Sequence, residues 1–349
     1  MKIERERSVK SYLESLQKQK EYYLPGSFWK DAVKEIGKNY IENGIKNLRN
    51  FHANIVFFVP KYGTPANGFS EEKIAQIESQ ISKKLNFKQS NLIKNSLSGY
   101  SQALSDYRVF HASNTEKDNF DLTKFSESEI GDPKESFEFN GKRFSRSSLN
   151  YLLGLSFLKR NIDNFIPKTV LEIGGGFGTL GEILGKSNLI DFKYINLDLP
   201  PLFLISEAYL KKCFGKEEDF FDHEENLHGE IKVEELSKFT FLPNWRVEDL
   251  RGKIDLFVNF ISFQEMEPNI VHNYAKKVTT LSPKFLLLRN LREGKQKKVG
   301  ENIGVEDPVF REDYLSFFEN YRLISSDSDT YGYKTSDNFH SELLLLKKK

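Results

Sequence analysis

The rhythm of apolar positions changes near Lys168. Beyond it, short apolar runs of strand length alternate with helical stretches. The runs are TVLEI (Thr169–Ile173), KYINLD (Lys193–Asp198), FTFL (Phe239–Leu242), IDLFVNF (Ile254–Phe260) and FLLLRN (Phe285–Asn290). Several are apolar without alternation, as parallel strands covered on both faces are. Such a series predicts an α/β, Rossmann-like, doubly wound and mostly parallel sheet. The end differs: NYRLISSDSD (Asn320–Asp329) and HSELLLLK (His340–Lys347) are joined by a polar turn. They read as a C-terminal antiparallel hairpin that brings the sheet to seven strands.

Before Lys168 the pattern is mainly helical. Ser11–Leu24 carries apolar residues at helical spacing until Pro25-Gly26, and a second helix runs from Ser27 to Gly44. Ile55–Val59 is a short apolar run that periodicity assigns neither to strand nor to helix. Lys61–Gly68 reads as a loop. Helices are expected from Ser70 to about Leu85 and from about Ser90 to Arg108, then a polar surface linker over Asn114–Lys134. SFEF-NG-KRFS (Ser136–Ser145) is a hairpin signal, because Asn140 and Gly141 both tolerate positive φ. Ser145 then caps a helix to about Ile162. The chain accordingly divides into a helical region, 1–135, and an α/β domain, 136–349.

Composition narrows the function classes. Fifty-one basic residues against 50 acidic ones leave a net charge of +1, without the basic excess of a nucleic-acid binder. The single cysteine, Cys213, rules out an internal disulfide and a multi-thiolate metal site. The charged start lacks the apolar core of a signal peptide, and no run reaches the roughly 18 apolar residues of a membrane span. The expectation is a cytoplasmic protein with no membrane span.

The chemistry concentrates after the first parallel strand, where Val170–Ile173 runs into Gly174, Gly175, Gly176, Phe177 and Gly178. Glycines let the backbone turn sharply and a ligand approach it, and the helix beyond offers free amides. Gly176-x-Gly178-x-x-Gly181, with an acid 20 residues past Gly178 at Asp198, formally satisfies the dinucleotide fingerprint. The strand, however, meets Gly174, so the register is Gly174-x-Gly176-x-Gly178 with Glu172 just before it. A carboxylate there repels a pyrophosphate: two like charges 4 Å apart cost about 4 kcal/mol at an effective dielectric of 20. It suits a cationic ligand with an amino group. Asp198, ending the second strand, can accept both hydroxyls of a ribose, with Leu199 beside it.

EIGGGFGTLGEIL resembles motif I of the class I S-adenosylmethionine-dependent methyltransferases. With YINLDLPPLFLISEAYL and VNFISFQEMEPNIVHNYAKKV, the chain from about Ser136 onward is similar to the sugar O-methyltransferase family of bacterial surface-polysaccharide loci. The resemblance implies an enzyme that moves a methyl group from S-adenosylmethionine to a hydroxyl of a sugar or sugar nucleotide in polysaccharide biosynthesis, releasing S-adenosylhomocysteine. It implies that Gly174, Gly176 and Gly178 approach the methionine part, that Glu172 lies near the donor's amino group, and that Asp198 holds the ribose.

Transfer to a hydroxyl needs an aligned acceptor and a group that takes its proton. The loop after the fourth strand, Ile261–Glu267, should face the methyl group. Glu265 is the first candidate base and His272 the second; Asn259 and Ser262 are donor-contacting or scaffolding groups. After the third strand, Trp245 and Asp249 are candidates for adenine, and Tyr151 for a lid over the donor. No metal site is expected: His223-Glu224-Glu225 and Glu265-x-Glu267 read as solvated acids. The helical third is expected to shape the acceptor pocket or a homodimer contact. A phenolic or polyketide hydroxyl as acceptor, and a non-catalytic donor-binding module, stay open as alternatives.

Overall fold

The computed structural model describes residues 2–63, 71–215, 218–223, 229–300, 303–335 and 338–349. Helices α1 (Lys2–Leu16), α2 (Ala32–Asn43), α3 (His52–Phe57), α4 (Glu71–Ser82), α5 (Phe87–Leu97) and α6 (Tyr100–Ala112) come first. The ambiguous run Ile55–Val59 is therefore helical as far as Phe57. The single helix expected over Ser90–Arg108 is two, broken at Ser98-Gly99. The expected start of α4, Ser70, and most of the loop before it lie outside the described residues.

Residues 114–134 hold no regular element, yet they are not a surface linker. Phe120, Leu122 and Phe125 are buried in the main core, so a few aromatic anchors outweigh the polar composition. Strands β1 (Phe137–Phe139) and β2 (Lys142–Phe144) form the expected hairpin around Asn140-Gly141. Ser145 then caps α7 (Arg146–Asn161): its hydroxyl accepts from the Ser148 amide while the Ser148 side chain accepts from its own.

The α/β part runs β3 (Thr169–Ile173), α8 (Thr179–Lys186), β4 (Lys193–Asp198), α9 (Leu202–Phe214), β5 (Ile231–Lys232), β6 (Phe239–Pro243), β7 (Leu250–Arg251), β8 (Leu256–Phe260), α10 (Pro268–Thr280), β9 (Phe285–Leu291), α11 (Arg311–Phe317), β10 (Tyr321–Asp327), β11 (Tyr333–Lys334) and β12 (His340–Lys348). Across the main sheet the order is β10-β12-β9-β8-β3-β4-β6, with β11 also paired to β12. The five strands from β9 to β6 are parallel, and β12 runs antiparallel between β9 and β10.

Side chains alternate between two cores, one on each face of the sheet. Val170, Tyr194, Val258 and Leu287 face one with α7, α8, α9 and the N-terminal helices; Leu171, Ile195, Phe257 and Leu286 face the other with α10 and α11. The chain winds outward from β3 in one direction, through β4 to β6, and then returns to the other side at β8. That reversal splays the following loops apart and opens a crevice beyond the carboxyl ends of β3 and β8.

One ionic knot ties the N-terminal helices to this crevice. Arg49 is wholly buried, 2.8 Å from a Glu127 carboxylate oxygen and paired also with Glu135; its guanidinium lies 5.0 Å from the centre of the Phe177 ring, beside the glycine loop. Arg49→Ala strands two buried carboxylates, so we expect a loss of about 3–5 kcal/mol of folding stability, measurable by denaturant unfolding. A change within 0.5 kcal/mol, the ordinary range for a surface substitution, would mean the knot is dispensable.

Candidate functional site

A cavity of about 810 Å³ occupies the crevice. Each parallel strand sends its following residues into the wall: Gly174–Gly176 after β3, Asp198 and Leu199 at β4, Asn244 after β6, Ile261 and Ser262 after β8, and Leu291 ending β9. The N-terminal third supplies part of the opposite wall, including Trp29, Phe57 and Tyr62.

The glycine loop is shaped by what surrounds it. Gly174 has φ 75°, and a Cβ there would fall 2.3 Å from the Ser262 hydroxyl, so both backbone and space require glycine. A Cβ at Gly175 would lie 2.6 Å from a Glu172 oxygen. Gly176 donates its N–H to Asp198 Oδ2 at 3.0 Å, and Leu199 donates to Oδ1 at 2.7 Å. Burial pushes the Asp198 carboxyl up to about 8 against these two amides, with help from the charges of Glu172 and Glu265. Gly178 is not a wall residue; its α-carbon faces Ser206 and Leu210 of α9 and opens helix α8.

Glu172 does not line the cavity. Its carboxylate is turned inward and fully buried, accepting from the Tyr151 hydroxyl at 2.6 Å and from the Tyr194 hydroxyl. Two tyrosine hydroxyls stand between that charge and the cavity, and Tyr151 is the one that reaches the wall. Burial raises the Glu172 carboxyl from 4.5 to about 7, the two hydroxyls opposing. The folded chain thus holds a proton that the unfolded chain releases between those values, and this group's stabilising share is lost as pH rises from 4.5 to about 7. In thermal melts over that interval, the wild type is expected to lose melting temperature relative to Glu172→Gln. Two parallel curves would remove Glu172 as the titrating group.

Asn259 and Ser262 are scaffold. Asn259 donates to the Ile173 carbonyl at 2.9 Å and to the Ser262 hydroxyl at 2.6 Å, and accepts from the Phe263 amide; Ser262 donates to the same carbonyl at 3.0 Å. Together they clamp the loop after β8 onto the end of β3. Ser262 reaches the wall and Asn259 does not, so of the two roles expected of Asn259 its hydrogen bonds fit the scaffolding one. Ile261 between them has φ 72° and ψ −33°, a costly conformation for a β-branched residue, held by the hydrogen bond its N–H donates to the Arg289 carbonyl at 2.6 Å.

The third strand corrects another expectation. Asp249 stands off the wall, 2.6 Å from the Arg246 guanidinium and 37% exposed. The wall residue is Asn244, directly after β6. Its amide donates to the Tyr23 carbonyl at 2.9 Å and to the Tyr274 hydroxyl at 2.8 Å, while its Oδ1 is buried without a partner among the described residues. Asn150 on α7 is a second such group: 2% exposed, on the wall, with both amide atoms unpartnered. Native interiors rarely leave buried amides unpaired, so both side chains are candidates to meet a polar ligand or water in the cavity. Neither was anticipated from sequence, although Asn244 is the first residue past a strand end, where such crevices draw their ligands' partners.

Glu265 is on the wall and 5% exposed. One oxygen accepts from the Trp29 indole at 3.2 Å and the other from Lys295 at 3.4 Å. Burial raises its pKa while Lys295 and Trp29 hold it down. His272, the second candidate, faces the other way: its ring stacks on Phe317 at 4.9 Å, away from the cavity. The helical position was compatible with both directions, and packing against α11 chose the outer one. Trp29 and Lys295 carried no sequence signal, because 236 residues separate Trp29 from its carboxylate partner.

His223 is bonded to the Tyr12 hydroxyl at 2.6 Å and to Glu207 at 3.0 Å; Glu224 and Glu225 lie outside the described residues. Glu267 accepts from the Ser27 hydroxyl at 3.0 Å. Among the described residues no group of three His, Cys, Asp or Glu could hold a metal ion, and no helix is long and apolar enough to cross a membrane.

No protein-family model and no curated protein matches the chain. Solved structures similar to it include magnesium protoporphyrin IX methyltransferase from Synechocystis with bound S-adenosylhomocysteine, at 10% identity over 58% of this chain and 83% of that one, with a TM-score of 0.40. A SAM-dependent methyltransferase from Aquifex aeolicus is similar at 13% identity over 58% and 94%, with a TM-score of 0.38. A Burkholderia thailandensis 1,6-didemethyltoxoflavin-N1-methyltransferase, solved with that compound and S-adenosylhomocysteine, is similar at 12% identity over 58% and 77%, with a TM-score of 0.38.

Proposed function

We propose that the chain is an S-adenosylmethionine-dependent O-methyltransferase acting on a hydroxyl of a sugar or sugar nucleotide. The observation that carries the reading is one cavity whose wall holds a glycine loop, a strand-end acid, Asp198, and a buried carboxylate, Glu265. The wall chemistry fits a nucleoside joined to an amino acid. Asp198 accepts the ribose hydroxyls, the free Asn244 oxygen accepts an exocyclic amine of the base, and Asn150 and Tyr151 meet the amino-acid part. The buried acids Asp198 and Glu265 favour a ligand that brings positive charge.

S-Adenosylmethionine supplies an activated methyl group when bound. What remains for the protein is to align the acceptor oxygen and remove its proton. Glu265 is the base in this reading, with Trp29 and Lys295 fixing its direction. Tyr151, stacked on Phe260 at 4.8 Å, holds the donor side of the wall rigid. The helical third completes the acceptor pocket through Trp29 and Tyr62.

The aromatic wall of Trp29, Phe57 and Phe58 favours a second reading, a flat phenolic acceptor. Transfer of a radiolabelled methyl group to panels of sugar nucleotides and of phenols separates the two. Turnover on sugar nucleotides is expected; turnover confined to phenols would discard the sugar reading.

A further inference from the structure

Besides Glu265, the cavity wall carries a cluster of Tyr62, Asp106, Arg146 and Tyr333. Arg146, the first residue of α7, donates to the Lys61 carbonyl at 2.9 Å; its guanidinium lies 5.8 Å from the Tyr62 ring centre and 5.0 Å from that of Tyr333. Behind Tyr333 sits Arg289, wholly buried, 5.9 Å from the Tyr333 ring and 5.5 Å from the Phe260 ring. It donates to the Tyr331 carbonyl at 2.6 Å, and its Nε and Nη1 have no hydrogen-bond partner among the described residues.

The charges here do not balance. Two guanidinium groups face one carboxylate, Asp106, which accepts from the Tyr62 hydroxyl and which burial pushes toward its neutral form. The field shows on Tyr333: burial pushes its phenol up, and Arg146 and Arg289 more than reverse this. A buried cation without a counter-charge is costly, and a guanidinium fork matches the two oxygens of a carboxylate or phosphate.

We propose that this cluster on the cavity wall receives an oxyanion carried by the acceptor, a carboxylate or a phosphate, against the Arg146 guanidinium. Arg289 acts from behind Tyr333 by charge, so the anion is held while the hydroxyl to be methylated lies toward Glu265. The inference rests on the methyl-transfer reading above and names its acceptor class.

The full chain, saturated with S-adenosylhomocysteine, is titrated with glucuronate, glucose 6-phosphate, UDP-glucose and glucose, following tryptophan fluorescence because Trp29 lines the wall. At least one charged probe is expected to bind about tenfold or more tighter than glucose, the scale of a hydrogen bond to a charged group. A preference for glucuronate assigns a carboxylate, and one for the other two assigns a phosphate; either supports the proposal. Arg146→Gln should abolish the preference and Arg146→Lys retain part of it, while both bind S-adenosylhomocysteine within about twofold of wild type, which reports an intact fold. Glucose binding as tightly as every charged probe, a preference that survives Arg146→Gln, or no charged probe saturating at roughly 10 mM would overturn it. If S-adenosylhomocysteine fails to bind while charged probes still saturate, the methyltransferase reading falls and the anion subsite stands.

Discussion

Glu265→Gln is expected to lower kcat by about 10²- to 10⁴-fold, the usual worth of a positioned general base. The side chain keeps its shape and an oxygen for the Trp29 indole, so the wall stays closed and donor affinity hardly changes. What disappears is the capacity to take the acceptor's proton. A surface carboxylate would be a weak base near neutral pH; burial strengthens this one, and Lys295 keeps it from losing its charge altogether. The rate should rise with pH along a limb above the ordinary carboxylate value of 4.5, and the limb should vanish in the variant. Steady-state rates across pH, beside calorimetric donor affinity, check both halves. A variant with wild-type kcat would show that Glu265 is not the base.

Asp198→Ala is expected to weaken S-adenosylhomocysteine binding by about 100-fold, on the order of 3 kcal/mol, from two hydrogen bonds to a charged acceptor. The same carboxylate holds the Gly176 and Leu199 amides, so removing it also loosens the loop that receives the amino-acid part. Asp198→Asn keeps oxygen for only one of those amides and should be intermediate. The sign of the pH effect follows from the raised carboxyl. With a pKa of about 8 in the free protein, Asp198 is largely protonated at lower pH, and the ribose selects the charged form. Affinity for the product should therefore fall as pH drops below about 8 and become flat in Asp198→Asn. Titration calorimetry at several pH values reads this directly, and a pH-independent wild type would contradict it.

The frame of this site was legible in the chain because local rules govern it. Unbroken apolar runs mark strands covered on both faces, and the glycine run after Ile173 marks where the backbone must turn beneath a ligand. Asp198 could be placed because a strand end in such a sheet faces the crevice. Direction and partnership were not legible. Glu172 is where expected in sequence, but only the fold brings the Tyr151 and Tyr194 hydroxyls onto it and turns it inward. Asp249 and Asn244 stand five residues apart after one strand, and the short turn between them decides which reaches the cavity. Residues 114–134 look like a solvated loop by composition, yet Phe120, Leu122 and Phe125 pin them into the core. Trp29, Arg146 and Tyr333 come from three distant parts of the chain, so their meeting is a property of tertiary packing alone.

Titration calorimetry of the full chain with S-adenosylhomocysteine, run beside NAD⁺, addresses the claim beneath all the others. The geometry predicts a single site per chain with a roughly micromolar Kd for the homocysteine nucleoside and no heat from the dinucleotide. Saturation by NAD⁺ instead, or silence from both S-adenosylmethionine and its product, would contradict the account.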